Sequence, residues 1–263
     1  MVFFGGNMKA IGEIKEEFKS IKDGDLAGFK SFAESYVTDG RKGVAALCDR
    51  ALKQIRLFQE EEKRTETMYA FEDKFTAEGY TAICGIDEVG RGPLAGPVVA
   101  CAVILPTDHR ILYLNDSKQV KKEKREELYE IITREAVSYG VGIVSESVID
   151  EINILQATYE AMRQAISKLK PAPELTLNDA VKIPQVNARQ IPIIKGDTLS
   201  ASIAAASIVA KVTRDRMMEE YDKVYPGYGF ASNVGYGSAE HIKAIKSQGP
   251  SPIHRMTFIK KFL

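Results

Sequence analysis

This chain has no surplus charge of either sign: 36 Lys and Arg balance 36 Asp and Glu across 263 residues. That balance excludes the uniformly basic surface that marks many nucleic-acid binders. Cysteine is scarce, and Cys48, Cys84 and Cys101 have neither paired nor metal-type spacing. A disulfide framework and a zinc-ribbon site are therefore excluded, and a reducing compartment, the cytoplasm, is expected. Long hydrophobic runs are missing too, none approaching the roughly eighteen apolar residues of a membrane span. The opening Met1-Val-Phe-Phe-Gly-Gly-Asn7 is too short for a signal-peptide core and lacks a basic start. None of the three histidines, His109, His241 and His254, is placed to suggest a nucleophile. What remains is an ordinary soluble composition, 44% hydrophobic and 27% charged. The length suffices for one substantial core with a small accessory domain.

The balance hides an uneven distribution. From Ala201 onward there are nine Lys and Arg against five Asp and Glu, while Met1 to Tyr80 carry thirteen against fifteen. A modest basic bias in the C-terminal part is enough for a phosphate-facing patch. Residues 1–72 read as a helical accessory region. Ile11, Ile14, Phe18 and Ile21 repeat at helical spacing, as do Leu47, Ala51, Ile55 and Phe58, with turn signals at Asp23-Gly24-Asp25 and Asp39-Gly40 between them. A polar linker is expected over 72–79.

From residue 80 to 263 strands alternate with helices, which indicates an α/β domain with a mixed sheet covered by helices. The strand signals are 81–86, 98–105, 141–144, 175–177 and 191–194; the helix signals are 121–139, 149–169 and 200–221. The Ala-rich start of the last helix, Ala204-Ala-Ala206, predicts close packing on the sheet.

Asp87, Glu88, Asp179 and Asp197 each stand at the end of an apolar strand signal. Strand ends beside loops are where α/β folds gather their sites. Four carboxylates brought together repel one another and call for divalent cations. Neighbours on a strand point to opposite faces, so Asp87 and Glu88 share an ion only if the backbone turns, and Val89-Gly90 is expected to supply that turn. The loop that follows, Gly90 to Pro97, is rich in Gly and Pro and forms a shaped backbone surface able to approach a phosphodiester.

The segment Gly85-Ile-Asp-Glu-Val-Gly-Arg-Gly-Pro-Leu-Ala-Gly96 resembles the signature of the type 2 ribonucleases H, the ribonuclease HII family. Later stretches agree in order and spacing: Leu114-Asn-Asp-Ser-Lys118, Ile149-Asp-Glu-Ile-Asn-Ile154, Ile194-Lys-Gly-Asp197, and the run Ser202-Ile-Ala-Ala-Ala-Ser-Ile-Val-Ala-Lys-Val-Thr-Arg-Asp215. The resemblance covers Tyr80 to Phe262. It implies an RNase H-like fold, and an endonuclease that cleaves the RNA strand of RNA–DNA hybrids. It also implies incision 5′ of single ribonucleotides embedded in duplex DNA, leaving 3′-hydroxyl and 5′-phosphate ends. The matching acidic residues Asp87, Glu88, Asp179 and Asp197 would bind Mg²⁺ or Mn²⁺. Two ions roughly 3.5–4 Å apart need a bridging carboxylate. Asp87 is the expected bridge, with Glu88 and Asp179 completing one site and Asp197 serving the other.

Selecting RNA means sensing a 2′-hydroxyl. The resemblance assigns this to the backbone of Gly90, Arg91 and Gly92, and assigns Tyr236 to stacking on the sugar at the RNA–DNA junction. Lys118 and Lys195 are candidates for phosphate contact. The chain departs from the commonest family pattern at Val234 and Ser238, where Lys and Thr are usual, and at Asn178 and Ala180, which flank Asp179. Lys211 and Asp215, four apart on the long helix, fit an i,i+4 surface or hinge pair better than a catalytic one. The sister family, ribonuclease HIII, would show Gly-Thr-Gly in place of Gly90-Arg91-Gly92 and a sheet-bearing N-terminal domain. A phosphate-cradling nucleotide module would need P-loop or Rossmann spacing, which is lacking. The partners expected are the RNA–DNA hybrid and ribonucleotide-containing duplex DNA, bound by a monomer.

Overall fold

The computed structural model describes residues 8–22 and 24–263. The turn signal at Asp23 and the opening Met1 to Asn7 lie outside them. The chain forms two compact units, one ending at Arg64 and one running from Thr65 to Leu263.

The first unit is helical, as its periodicity predicts. Helix α1 spans Ile11–Ser20, α2 spans Leu26–Tyr36, and α3 starts at Lys42 and runs to Met68, past the unit's end. Helix α2 is additional to the two expected periodic stretches. Asp25 starts it by accepting from the Gly28 amide at 2.8 Å, a side-chain N-cap. Ile14, Phe18, Phe29, Phe32, Val44, Leu47 and Ala51 are buried together, with the Phe18 and Phe32 rings edge to face at 5.3 Å.

The expected polar linker is instead a helix, α4, over Ala70–Ala77. Its charged face misleads. Phe75 is buried, and the Glu72 carboxyl group points inward and accepts from Ser200 Oγ at 2.6 Å, Ser202 N at 2.9 Å and Ser202 Oγ at 2.6 Å.

The second unit is built on a five-stranded sheet in the order β3-β2-β1-β4-β5. Strand β1 spans Ile83–Val89, β2 Val98–Ile104, β3 Ser138–Val144, β4 Leu175–Asp179 and β5 Arg189–Ile193. β2 pairs antiparallel with β1 and β3, whereas β4 pairs parallel with β1 and β5, so the sheet is mixed as expected. The helices after β2 are α5 (Lys122–Glu135), α6 (Glu146–Ile152), α7 (Ile154–Ser167), α8 (Ala201–Val224), α9 (Phe230–Asn233), α10 (Ala239–Gln248) and α11 (Met256–Ile259).

Helices α7 and α8 sandwich the sheet. On one face Val99, Cys101 and Val103 pack with Ala204, Ala205 and Ile208; on the other Ile86, Ala100 and Ala102 pack with Ala157, Ala161 and Ala165. The Ala-rich start of α8 sits very close to β1. A Cβ on Gly85 would stand 2.0 Å from the Ser202 carbonyl carbon, so no larger residue fits there.

Two helix expectations need correction. The expected helix over 121–139 ends at Glu135, because Ser138 and Tyr139 join β3 opposite Ile104 and Val103. The expected helix over 149–169 breaks at Asn153, whose backbone takes φ 68° and whose Oδ1 caps α7 through Leu155 N at 3.0 Å and Gln156 N at 3.2 Å. Among the described residues no helix is long and apolar enough to cross a membrane.

Candidate active site at the ends of the central strands

Sheet register brings the acidic residues together. Ile86 pairs with Asn178 in the parallel β1–β4 ladder, so Asp87 and Asp179 stand one step further along at the same end of the sheet. Asp179 lies opposite Ile193 of β5. The chain then turns through Lys195, in the left-handed region at φ 58°, into a short 3-10 turn over Gly196–Thr198 that carries Asp197. The Gly196 amide donates to Asp179 Oδ1 at 2.8 Å and ties that turn to the end of β4.

Asp87 and Glu88 occupy successive positions of an extended strand, since β1 continues through Val89 and the backbone turns only at Gly90, φ 90°. They therefore leave the strand on opposite sides. Asp87 is 6% exposed, and its Oδ1 accepts from the Glu88 amide at 2.7 Å. It faces α8, where the Ser207 hydroxyl lies within reach of it and 3.0 Å from Ser117 Oγ. That hydroxyl has one proton and serves one of the two at a time. Glu88 forms an ion pair with Arg91 at 3.3 Å.

The charges are poorly compensated. Burial pushes the Asp87 carboxyl well above the usual carboxylate range, and the charges of Glu88 and Asp179 push it further. Burial also raises Glu88, against the pull of Arg91 and with a further push from Asp179. Asp197 is raised by burial, then by Asp116 and Asp179, with Lys118 opposing. Asp179 thus acts on all three other carboxylates. Among the described residues Arg91 and Lys118 are the cations that oppose these shifts, and the remaining negative charge is what hard divalent cations would neutralise. Among the described residues no three His, Cys, Asp or Glu side chains enclose an ion by themselves. The carboxylates rim the strand ends without caging an ion; hard ions that keep waters and take substrate phosphate oxygens need no such cage.

The Gly-rich loop borders this rim. A Cβ on Gly92 would stand 3.5 Å from Tyr236 Cε1, so the loop and the half-exposed tyrosine ring form one surface. Leu94 N donates to Gly235 O at 2.7 Å and fixes that pairing. Lys118 is exposed, with its charge acting on Asp197; Lys195 is exposed at the turn beside it. Lys211 and Asp215 do pair, at 2.7 Å, but with side chains only 17% and 14% exposed, and Arg125 of α5 reaches the same carboxylate at 3.6 Å. The pair is half-buried on α8, with Arg125 linking it to α5, and is not an exposed surface pair.

Sequence reasoning missed several participants. Ser207 was legible as a polar residue in an otherwise apolar helix stretch. Asp116 was legible as an acid beside Lys118. His241 and His254 gave no signal, yet they form a buried pair. His241 Nδ1 lies 2.8 Å from Tyr236 O, its Nε2 lies 3.0 Å from His254 Nε2, and His254 Nδ1 accepts from Ser251 N at 2.8 Å. With Ser251 donating to His254, the assigned protons run from His254 Nε2 to His241 and from His241 Nδ1 to Tyr236 O. Burial lowers both imidazoles, His254 to about 4, so the pair is neutral and holds the tyrosine in place.

A mixed sheet covered by helices on both faces, with carboxylates gathered where its central strands end, defines an RNase H-like hydrolase. Its backbone resembles that of ribonuclease H2 from Pyrococcus horikoshii, with a TM-score of 0.58 and 27% identity over 69% of this chain and 97% of that one. The family description of ribonuclease HII matches residues 84–261, and that of the ribonuclease HII N-terminal domain matches residues 10–76. The chain belongs to the ribonuclease HII family. It is 58% identical to ribonuclease HII of Lachnoclostridium phytofermentans, over 95% of this chain and 96% of the relative. It is 49% identical to that of Clostridioides difficile, over 97% and 99%. The protein is accordingly an endonuclease of the RNase H class acting on RNA–DNA.

Proposed function

We propose that this enzyme hydrolyses the RNA strand of RNA–DNA hybrids and incises 5′ of single ribonucleotides embedded in duplex DNA, leaving 3′-hydroxyl and 5′-phosphate ends. The observation that carries the reading is the contact surface of Gly92 and Tyr236 beside four under-compensated carboxylates. Asp87, Glu88, Asp179 and Asp197 would hold two divalent ions, Mg²⁺ or Mn²⁺. When bound, such ions make water a better nucleophile and stabilise charge on the phosphate and on the departing 3′ oxygen.

The chain's own residues prepare that chemistry. The Gly196 amide orients Asp179 through one oxygen and leaves the other for an ion. Arg91 restrains Glu88. Lys118 and Lys195 stand where they would meet flanking phosphates. The amides of Arg91 and Gly92 suit a ribose 2′-hydroxyl, and the Tyr236 ring suits the neighbouring deoxyribose, where a 2′-hydroxyl would collide with it. The three free, buried cysteines fit work in the cytoplasm, and we take the working form to be a monomer.

The test is a labelled DNA duplex carrying one ribonucleotide, incubated with Mg²⁺ or Mn²⁺ with wild type beside Asp87→Asn. A single metal-dependent cut 5′ of the ribonucleotide, absent in the variant, is the expected result. Cutting only within runs of ribonucleotides would reject the single-ribonucleotide reading, and a cut that survives in Asp87→Asn would reject the metal assignment.

A further inference from the structure

Two arginines lie behind the Gly-rich loop, and the proposed chemistry does not use them. Arg214, on α8, and Arg255, just before α11, are both 0% exposed. A buried guanidinium ordinarily takes a carboxylate partner. Among the described residues neither of these does, and their donors go to main-chain carbonyls. Arg214 donates to Pro97 O at 2.9 Å, Ala95 O at 3.0 Å and Val234 O at 2.8 Å. Arg255 donates to Arg91 O at 2.9 Å, to Gly96 O at 2.8 Å and 3.0 Å, and to Gly90 O. Five carbonyls of one short loop, those of Gly90, Arg91, Ala95, Gly96 and Pro97, are therefore turned inward onto two cations.

Successive peptide groups that turn carbonyls inward present amides outward. The amides of Arg91 and Gly92 donate to no group among the described residues, and Gly92 itself borders Tyr236, a Cβ on it standing 3.5 Å from Cε1. Val234 O, held by the same Arg214, belongs to the segment that carries the tyrosine. The arrangement is costly. Burial pulls Arg214 down to about 10 and Arg255 to about 9, and the Arg214 charge adds to the effect on Arg255. Both still carry full charge at neutral pH. Glycine is needed where they touch the loop, since a Cβ on Gly90 would stand 2.3 Å from Arg214 Nε. Lysine could not replace them, because only the planar fork reaches several carbonyls at once.

We propose that Arg214 and Arg255 are positioning residues for ribose recognition: from behind the loop they fix its outward amides and the adjoining Tyr236 segment at the spacing a 2′-hydroxyl requires. Neither touches substrate. Their charge also places positive potential beneath the loop, so each acts through the backbone it holds. This inference rests on the ribose-reading role proposed above for Gly90, Arg91 and Gly92.

The experiment measures binding of wild type, Arg214→Lys and Arg255→Lys to two duplexes differing only in one 2′-hydroxyl, with Ca²⁺ replacing the catalytic ion. Lysine keeps the charge and removes the fork. The expected result is a loss of about tenfold in the preference for the ribonucleotide duplex, with affinity for the all-DNA duplex changed by less than about threefold. A merely structural role would weaken both duplexes alike. An unchanged preference in folded variants overturns the proposal. If the variants do not melt cooperatively, amide exchange in the free wild-type enzyme decides: a preset loop requires ordered, slowly exchanging backbone from Gly90 to Pro97, and a mobile loop overturns the proposal. Equal wild-type affinity for both duplexes would instead reject the ribose-reading role itself.

Discussion

Replacing Glu72 tests whether helix α4 is an integral part of the catalytic unit. Its Oε1 accepts from Ser200 Oγ, Ser202 N and Ser202 Oγ, at 2.6, 2.9 and 2.6 Å, at the start of α8. In Glu72→Ala one of the two hydroxyls retains a fallback, donating to the other 3.2 Å away. The Ser202 amide does not. An orphaned buried amide costs about 1–3 kcal/mol, and hydrogen bonds to a charged acceptor contribute about 1.5–3 kcal/mol each. Loss of an anion from a helix N-terminus adds about 0.3–1 kcal/mol. Relief from burying a carboxylate whose Oε2 has no partner offsets part of this sum. The expected net cost is about 3 kcal/mol for Glu72→Ala and about 1 kcal/mol for Glu72→Gln, which keeps the acceptor. Calorimetry of the full chain should show the Ala variant melting about 6–12 °C lower. Because Asp197 lies just ahead of Ser200, the divalent-ion affinity should fall in the same variant. A shift below about 2 °C would refute the reasoning and show that the Ser200 hydroxyl, which accepts from Ile203 N at 3.3 Å, secures the helix start alone.

Three further outcomes follow from the site. Asp87→Asn should raise Tm in the absence of divalent ions while abolishing cleavage, because burial and the neighbouring charges of Glu88 and Asp179 make the ionised carboxyl unfavourable; an unchanged or lower Tm would contradict this. His254 is held neutral with its pKa lowered from 6.5 to about 4, so the unfolded chain binds its proton first as pH falls. Stability should therefore decline by about 3 kcal/mol between pH about 6.5 and about 4, and His254→Asn should remove that part of the slope. Raised carboxyls at Asp87, Glu88 and Asp197 act in the opposite sense, being relieved as pH falls, so the difference between variant and wild type is the quantity to follow. Val234 is β-branched yet sits at φ 44°, ψ 34°, a conformation costing about 1–2 kcal/mol for such a residue. Val234→Asn should be neutral to stabilising by about 1 kcal/mol in urea titrations, and Val234→Lys should steepen the salt dependence of hybrid binding by about one ion.

The acidic rim could be read in the sequence because a carboxylate ending an apolar strand has few uses, and four such endings have fewer. Their meeting needed parallel pairing of β1 with β4, which the helices between those strands imply, and of β4 with β5, which no intervening helix announces. Local patterns failed where distant residues decide. Glu72-Asp73-Lys74 looks solvated until Ser200 and Ser202 arrive from elsewhere in the chain. Ser138 to Gly140 carries little strand signal and extends the expected strand at 141–144 because β2 needs a partner along its length; a Cβ on Gly140 would stand 2.2 Å from Ala165 O, so only glycine lets α7 pack there. Asn153 interrupts a good helical stripe because its side chain caps the next helix better than its backbone continues the last one. Arg214 sits in a run that ends with the charged Arg214-Asp-Arg216, where solvent exposure is the natural reading, and it is wholly buried.

The zero net charge, which at first counts against a nucleic-acid enzyme, says little about the site, where charge is unevenly placed. Negative charge is concentrated at the strand ends, where burial and mutual repulsion leave it in need of cations. Positive charge is placed where it shapes the adjoining loop: Arg214 and Arg255 behind it, Arg91 on it, Lys118 beside Asp197. A protein that bound phosphates chiefly by surface lysines would show its partner in its net charge. One that recruits divalent ions to meet the phosphate, and uses its arginines to aim backbone amides, need show none. On this argument affinity for an unmodified duplex should be weak and only shallowly salt-dependent, while discrimination for the 2′-hydroxyl, set by the aimed amides, should survive added salt. A preference that collapsed in parallel with overall affinity as salt rose would place recognition in surface charge and not in the loop.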